Sequence, residues 1–346
     1  MRRKISIMGS ERDYLFDNIK GYLIISVITA HYFRVSGYFL AGTPSRFIYI
    51  ISFSYIMQAF LFVSGYFSKN VEKCRHGAFK QFIIPYVIFV YLAYFERCIL
   101  YGADKCHVHM FMPTFALWFL VVMFFYRFFI KDLSRIPGIV YICLALYMIA
   151  GFIPFLNENM ATGRIASFMI FYILGYKMDA NMVEKIRSVP KAAGVITLAV
   201  LLAACFAYSR FRFPPVDILL LRGPFAEFGV GPVPGTLWRI GLFAGAMLWI
   251  FVFINLMPRK EIWLTTLGQR TMTVYLLHIF VRNLIKYYGV LHSGSPEYYG
   301  IIIALIVASL WLFSRGFVVK GYDAMIDGIY KVITLPFTYR RKHEEN

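Results

Sequence analysis

The sequence predicts an all-α polytopic membrane protein with about ten transmembrane helices and with its N-terminus and C-terminus in the cytoplasm. Three observations support this. Of the 346 residues, 60% are hydrophobic and only 16% are charged, with a mean hydropathy of +0.64, whereas about a quarter of the residues in a soluble globular protein are charged. The apolar residues are concentrated in segments of spanning length. Lysine and arginine are distributed unevenly between the loops.

Ten apolar segments can be marked along the chain. Most have the length that a tilted helix needs to cross a bilayer, although the fourth and the sixth are short. In order, they cover roughly 19–35, 47–67, 79–100, 115–130, 136–155, 165–177, 192–209, 236–257, 271–290 and 299–319. No small-residue cleavage site follows the first segment, so we expect it to be an uncleaved anchor.

The loops determine the predicted orientation. With a cytoplasmic N-terminus, 25 of the 36 lysines and arginines lie in inner segments and 7 in outer loops. The net charge of +18 is therefore interpreted as a topology signal, and no nucleic-acid partner is expected. We expect one transmembrane domain over residues 1–346, with its spans over 19–319 and a solvated basic tail at the inner leaflet over 320–346. The predicted location is the cytoplasmic membrane, with the lipid bilayer as the surrounding partner.

The longest connection is the outer loop 209–235. Its prolines and glycines exclude a regular helix through much of it, and long loops are commonly functional. It is a candidate lid or acceptor-binding loop, and a half-buried re-entrant segment is an equal alternative. No internal repeat of the kind common in transporters is visible.

Cysteine and histidine give weaker signals. No CxxC spacing occurs, so we interpret the cysteines as apolar filling, with a contact between Cys98 and Cys106 on the outer side as the alternative. His107 and His109 could bind a metal ion, but two histidines without a third ligand are weak support, and no metal site is predicted. The five cysteines are Cys74, Cys98, Cys106, Cys143 and Cys205.

A polar stripe runs along the first segment, in the stretch DNIKGYLIISVITAH over residues 17–31. Lys20 and His31 lie eleven positions apart, which places them on one helix face with a rise of roughly 16 Å between them. This spacing suits a site that takes a charged cofactor from one side and carries out proton chemistry deeper in the membrane. We predict that both residues face one enclosed tunnel. The alternative is that Lys20 is a topology anchor and His31 a packing residue.

Polar residues also recur in other predicted spans, where charges are costly and default to functional hypotheses. In the ninth segment, Tyr275, His278, Arg282 and Lys286 share one face, although snorkelling is favoured for Lys286 alone. In the second segment, the SGY triplet at 64–66 could bind a ligand, or its small residues could only allow close packing of two helices.

The sequence resembles the acyltransferase 3 family of membrane-bound O-acyltransferases, and within it the fucose 4-O-acetylase-like branch. The matching pieces are DNIKGYLIISVITAH (17–31), FLFVSGYF (60–67), LWFLVVMFFY (117–126), FMIFYILGYKMD (168–179) and TMTVYLLH (271–278). They are spread over nearly the whole chain. The basic residue of the first motif is most often arginine in the family and is Lys20 here, which replaces a bidentate phosphate contact by a point charge.

The resemblance implies transfer of an acyl group, acetyl being favoured, from cytoplasmic acyl-CoA to a hydroxyl of an extracytoplasmic glycan or related small-molecule acceptor in the cell envelope. His31 would act as general base, and direct transfer and an acyl-enzyme on His31 or Ser64 both stay open. The predicted catalytic residues are His31, Tyr275 and His278; the cofactor-binding residues are Lys20, Asp17, Ser64 and Gly65; the acceptor-binding residues are Arg282, Trp118, Glu96, Arg97 and Arg239.

Two other functions compete with this one. A transporter or flippase of a glycan or lipid-linked precursor would also contain buried cations, and a sensor or scaffold could keep the fold without the chemistry. Release of CoA that depends on an acceptor would separate the enzyme from both alternatives. The acceptor, the acyl chain and a homo-oligomeric state are left undetermined by the sequence.

Overall fold

The computed structural model describes residues 13–36, 39–102, 107–113, 115–212, 214–289 and 295–344, the last nine of these by backbone alone. All regular structure in these ranges is helical. The α-helices are α1 (Leu15–Val35), α2 (Pro44–Phe53), α3 (Ile56–Tyr66), α4 (Val71–Ala78), α5 (Ile84–Tyr101), α6 (Trp118–Leu133), α7 (Ile139–Ile149), α8 (Thr162–Lys177), α9 (Ala180–Ser188), α10 (Lys191–Arg210), α11 (Pro232–Leu256), α12 (Trp263–Gln269), α13 (Thr271–Tyr288), α14 (Pro296–Phe313) and α15 (Gly316–Glu344).

Every predicted apolar segment coincides with helix, but five helical stretches of the described chain are long and apolar enough to cross a membrane. They are Pro44–Tyr66, Val71–Tyr101, Lys191–Arg210, Pro232–Leu256 and Pro296–Phe313. The count of ten is therefore not confirmed. The other segments contain α1 and α13, which include the polar residues singled out above, and α6, α7 and α8, which have 16, 11 and 16 residues.

Helix α1 lies at the centre of the helical bundle and packs against α2, α3, α11, α12, α13 and α14. Its contact with α12 is unusually close: a Cβ added at Gly268 would lie 1.7 Å from the Asp17 carbonyl oxygen, and one at Gly21 would lie 2.1 Å from the Leu264 carbonyl oxygen. Only glycine permits such an approach of two backbones. The chain around Lys20 is thus fixed against α12.

The C-terminal segment is helical in the described residues. Residues 316–344 form the helix α15, which packs in part against α5, α13 and α14. Lys80 Nζ lies 2.7 Å from Asp327 Oδ1, and this ion pair connects α15 to the π-helical turn Phe79–Ile83 between α4 and α5. Most side chains described over 320–335 are exposed, and the solvated basic tail at the inner leaflet stays a prediction.

One cysteine also corrects the sequence-based interpretation. Cys98, near the end of α5, is disulfide-bonded, whereas Cys74, Cys143 and Cys205 are free and buried. Cys106 lies outside the described residues. The interpretation of the cysteines as apolar packing residues is therefore wrong for Cys98. It agrees with the buried positions of the three free cysteines.

The long connection between α10 and α11 packs onto the bundle. It contains two 3₁₀ turns, Val216–Leu220 and Phe225–Phe228. Val216, Leu219 and Phe225 are buried, so the connection is held in place by its own apolar side chains. Its position next to the C-terminal end of α1 makes it part of the site described below.

Candidate active site

His31 lies in the last turns of α1 with its imidazole among aromatic rings. Its ring centroid is 4.4 Å from that of Phe115 and 5.5 Å from that of Phe53, both in edge-on geometry. The His278 ring of α13 lies parallel to it, with centroids 5.3 Å apart and 17° between the planes. The first and ninth predicted segments therefore meet at their two histidines.

The orientation of His278 is set by its own helix. Its Nδ1 is hydrogen-bonded to the Tyr275 carbonyl oxygen; since a carbonyl only accepts, Nδ1 bears the hydrogen and Nε2 the lone pair. The residue is 0% exposed, and Nε2 has no hydrogen-bond partner within the described chain. The Tyr275 hydroxyl donates to the Ala116 carbonyl oxygen. Hydrogen bonds to backbone carbonyl oxygens thus fix the positions of both side chains.

His31 lines a cavity of about 530 Å³. Tyr275, Trp118 and Arg282, all predicted site residues, line it as well, whereas His278 supports it from behind. The long connection contributes four residues to the lining, and its role as a lid, an acceptor-binding loop or a re-entrant segment stays a prediction. Its residues in the lining are Asp217, Leu219, Leu220 and Arg222.

The cavity wall is rich in charge. Four arginines (Arg34, Arg164, Arg222, Arg282) and two carboxylates (Glu158, Asp217) line it. Each carboxylate is paired with arginine: Glu158 Oε1 is 3.5 Å from an Arg164 nitrogen and 3.4 Å from an Arg222 nitrogen, and Asp217 Oδ1 is 3.8 Å from an Arg34 nitrogen. The Arg164 guanidinium lies 4.5 Å from the Trp118 ring centroid, within cation–π range.

Gln58 of α3 adds a neutral hydrogen-bonding group to the lining. Its side chain is buried and its Oε1 has no partner among the described residues. Because a buried acceptor left unpaired is costly, Oε1 is suited to accept a hydrogen bond from a hydroxyl of a bound molecule. His109, considered above as a metal ligand, also lines the cavity, and the described residues contain no cluster of three metal-ligating side chains.

Lys20 does not line this cavity. Its Nζ lies 2.9 Å from Asp17 Oδ1, and Asp17 Oδ2 accepts a hydrogen bond of 3.3 Å from Gln269. Ile24 and Val27, on the same helix face between Lys20 and His31, are 0% and 2% exposed. Packed side chains therefore lie between the two residues, and a tunnel shared by Lys20 and His31 stays a prediction.

Ser64 and Gly65 also lie away from the cavity. A Cβ at Gly65 would be 2.0 Å from the Tyr172 carbonyl oxygen, and one at Gly175 would be 1.9 Å from the Phe62 carbonyl oxygen. The SGY triplet thus lies where α3 and α8 pack backbone to backbone, which is the packing alternative given above. The Ser64 carbonyl accepts a hydrogen bond from Ser68 Oγ.

The remaining predicted acceptor residues lie in two places. Arg239 is buried in α11 and donates to the Tyr147 carbonyl oxygen and to Ser167 Oγ, so it joins helices outside the cavity. Arg97 and Glu96 lie near the end of α5. Arg97 lines a second cavity there, of about 260 Å³, together with Arg282.

Sequence reasoning missed several cavity residues. Arg34 follows His31 by three positions and so shares its helix face, a signal that the sequence contains. Arg164 lies directly before the short sixth segment, and Glu158 precedes both. Asp217 and Arg222 lie in the long connection 209–235, which the sequence indicates as functional only as a whole. Nothing in its composition distinguishes these two residues from their neighbours.

A comparison with known proteins gives one match. A family model described as Acyltransferase domain matches residues 13–315, a range that includes α1, α13 and every cavity-lining residue named above. No curated protein and no solved structure matches the chain.

Proposed function

This chain belongs to the acyltransferase family whose domain its residues 13–315 match, and from that premise we propose that it transfers an acetyl group from acetyl-CoA to a hydroxyl of an extracytoplasmic glycan. The transporter alternative is not favoured, because the family is one of acyltransferases. The fucose 4-O-acetylase-like branch is part of the proposal, on the motifs quoted above. The proposed location is the cytoplasmic membrane, and the proposed role is modification of a cell-envelope polysaccharide.

The observation on which the proposal rests is the imidazole of His31 in the wall of the large cavity. An acceptor hydroxyl in that cavity can donate a hydrogen bond to the neutral imidazole. Gln58 Oε1 can accept from a second hydroxyl of the same sugar. One cavity thus offers a base and an unpaired acceptor, and both could contact a polyhydroxyl compound.

The proposed reaction proceeds in one displacement. His31 removes the proton from the acceptor hydroxyl while that oxygen attacks the thioester carbonyl carbon. The carbon–sulfur bond then breaks, the new ester bond remains, and the imidazolium returns its proton to the thiolate of CoA. The Arg282 guanidinium, which also lines the cavity, is available to stabilise the developing oxyanion.

The donor route is the part of the proposal that requires movement. We propose that Lys20 contacts a phosphate of acyl-CoA and that the pantetheine arm reaches His31 along α1. Since Ile24 and Val27 are packed in this conformation, their side chains must move aside before the thioester can approach the imidazole. Binding of the donor would then open the path that the sequence predicted.

We propose cytoplasmic termini, which puts the His31 end of α1 on the extracytoplasmic side. The uneven distribution of lysine and arginine supports this orientation. The disulfide-bonded Cys98 supports it independently, because disulfides persist in oxidising compartments and this cysteine lies near the end of α5 that would be outside.

Replacement of His31 tests the proposal. We expect His31→Ala to lower acetyl transfer to an isolated envelope glycan fraction by about a hundredfold or more, as removal of a general base does. Purified protein would be given acetyl-CoA and that fraction, and both free CoA and alkali-labile acetyl groups on the glycan would be measured.

The matched control is His76→Ala, because His76 is exposed on α4 and lines neither cavity. Melting curves of the purified variants would establish that both are folded. Wild-type turnover in folded His31→Ala protein would remove His31 from the mechanism. Absence of acceptor-dependent CoA release from the unsubstituted protein would overturn the transferase proposal itself.

A further inference from the structure

Each of the four arginines in the wall of the large cavity has a carboxylate near it. Three of them form ion pairs, and the distances between nitrogen and oxygen are 3.8 Å for Arg34–Asp217, 3.5 Å for Arg164–Glu158, 3.4 Å for Arg222–Glu158 and 3.3 Å for Arg222–Glu227. The fourth, Arg282, interacts electrostatically with Glu96. Negative charge on the protein itself therefore offsets the positive charge of this wall, and a ligand does not have to supply it.

The segment between α7 and α8 brings part of this wall together through its backbone. Met160 and Ala161 have φ 49° and 55°, a left-handed conformation that residues other than glycine keep only where their surroundings hold it. Gly163 lets the long connection approach, because a Cβ there would lie 2.4 Å from the Arg222 carbonyl oxygen. Backbone packing thus fixes the chain that places Arg222 beside Glu158.

Two buried polar atoms of lining residues have no hydrogen-bond partner among the described residues. They are Nε of Arg164 and Oε1 of Gln58, in residues that are 7% and 1% exposed. The first is a donor and the second an acceptor, and either is costly to leave unpaired. A hydroxyl group both donates and accepts, so a polyhydroxyl compound in the cavity can supply both missing partners.

We propose that the large cavity selects an uncharged sugar ring as the acceptor, with the cluster Glu158, Arg164 and Arg222 as the group that determines this preference. The inference rests on the proposed function and specifies its substrate class. Glu158 accepts hydrogen bonds from hydroxyls of the ring, and the two guanidinium groups donate to hydroxyl oxygens. Charge-assisted hydrogen bonds of this kind are stronger than those between neutral groups.

Charge pairing makes the cluster selective. A ring with a carboxylate or phosphate would bring negative charge close to Glu158 and Asp217, whose own charges are already paired with arginines. A ring with an ammonium group would instead meet the guanidinium groups of Arg164 and Arg222. Contacts between like charges disfavour both of these ligands, whereas a neutral ring can use the donors and the acceptors of the cluster without such repulsion.

Three sugars built on the same ring test the inference: glucose, which is uncharged, glucuronate, which has a carboxylate, and glucosamine in its ammonium form. Binding of each to the purified full-length protein would be measured by calorimetry at low ionic strength, where charges are screened least. We expect glucose to bind at least about tenfold more tightly than either charged sugar.

Removal of one charge should shift this preference in a direction that its sign determines. Glu158→Gln leaves positive charge in surplus, so the affinity for glucuronate relative to glucose should rise about tenfold. Arg222→Gln leaves negative charge in surplus and should raise the affinity for glucosamine relative to glucose. A cluster with only a structural role would instead weaken the binding of all three sugars alike.

The matched control is Glu184→Gln. Glu184 also forms an ion pair with an arginine, Arg259, but it lines neither cavity. The same substitution there should leave the three affinities unchanged. Melting curves of the purified variants would establish that all of them are folded.

Three results would overturn the inference: no binding of glucose, binding of a charged sugar at least as tight as that of glucose, or affinity ratios that neither Glu158→Gln nor Arg222→Gln shifts. The proposed function is tested separately by His31→Ala, which should abolish transfer and leave the preference for glucose intact. Transfer that depends on His31 but prefers a charged acceptor would refute the neutral acceptor alone. Selective binding of glucose without acceptor-dependent CoA release would refute the transferase alone.

Discussion

The two ends of α1 differ in how closely they are packed. At the N-terminal end, Gly21 and Gly268 bring α1 and α12 into backbone contact, and Lys20 is paired with Asp17. At the C-terminal end, His31 borders a cavity of about 530 Å³ whose wall contains arginines and carboxylates. One helix thus has a closed end and an open end, although its polar residues lie on a single face.

This difference indicates which half of the proposed reaction is preformed. The space for an acceptor, the base and the surrounding charges are already in position around His31. The path from Lys20 is closed by Ile24 and Val27, so the donor half requires a conformational change. Binding energy of acyl-CoA would then be spent partly on opening that path, as in other enzymes in which substrate binding drives closure or opening.

The largest expected effect is a loss of stability from a substitution where the N-terminal end of α1 packs against α12. Gly268→Ala would place a Cβ 1.7 Å from the Asp17 carbonyl oxygen, and overpacking of this kind typically costs about 1–3 kcal/mol of the free energy of unfolding. We expect a lower melting temperature of the purified protein in detergent.

The comparison variant is Gly241→Ala, also within a helix, where a Cβ would meet no heavy atom within 4 Å. The better helix propensity of alanine should leave its stability unchanged or raise it by up to about 1 kcal/mol. Equal melting temperatures for the two variants would mean that α1 and α12 are not closely packed at this end of the helix.

An intermediate effect is expected at Lys20. Lys20→Ala removes the proposed phosphate contact and should raise the KM for acyl-CoA about tenfold with little change in kcat, because the lost interaction is made equally in the bound substrate and the transition state. Lys20→Arg keeps the charge and should restore most of the affinity. Steady-state kinetics with acyl-CoA as the varied substrate measures both. An unchanged KM in the alanine variant would show that the closed end does not receive the donor.

The smallest effect is expected at Asp17. Asp17→Asn removes the carboxylate that neutralises Lys20 and keeps a side chain that can still accept from Gln269. Partly exposed ion pairs contribute little, so the KM for acyl-CoA should fall only about two- to threefold. Asp132→Asn, which interrupts the pair with Arg75, should leave the KM unchanged. A higher KM in Asp17→Asn would instead support the sequence-based assignment of Asp17 to cofactor binding.

The extent of prediction can be judged from particular residues. The helical character of all ten segments was predictable, because hydropathy and length are local properties. The pairing of the first and ninth segments at a site was also predicted, and their histidines stack in the structure. The assignments of Gly65 and Arg239 to ligands were not supported by their positions, since packing of α3 on α8 and of α11 on its neighbours accounts for both.

By itself, the sequence determined the all-helical membrane architecture and the helix face that Lys20 and His31 share, because both depend on residue type and on the 3.6-residue helical period. Its motifs, by their resemblance to known sequences, identified the acyltransferase family. Only the tertiary structure decided that the path between those two residues is packed, that Arg34, Arg164, Asp217 and Arg222 line the cavity, and that Phe115 and Arg282 line both this cavity and a second one. These features depend on which distant helices and loops meet, and burial and charge pairing between such segments are not contained in any local pattern.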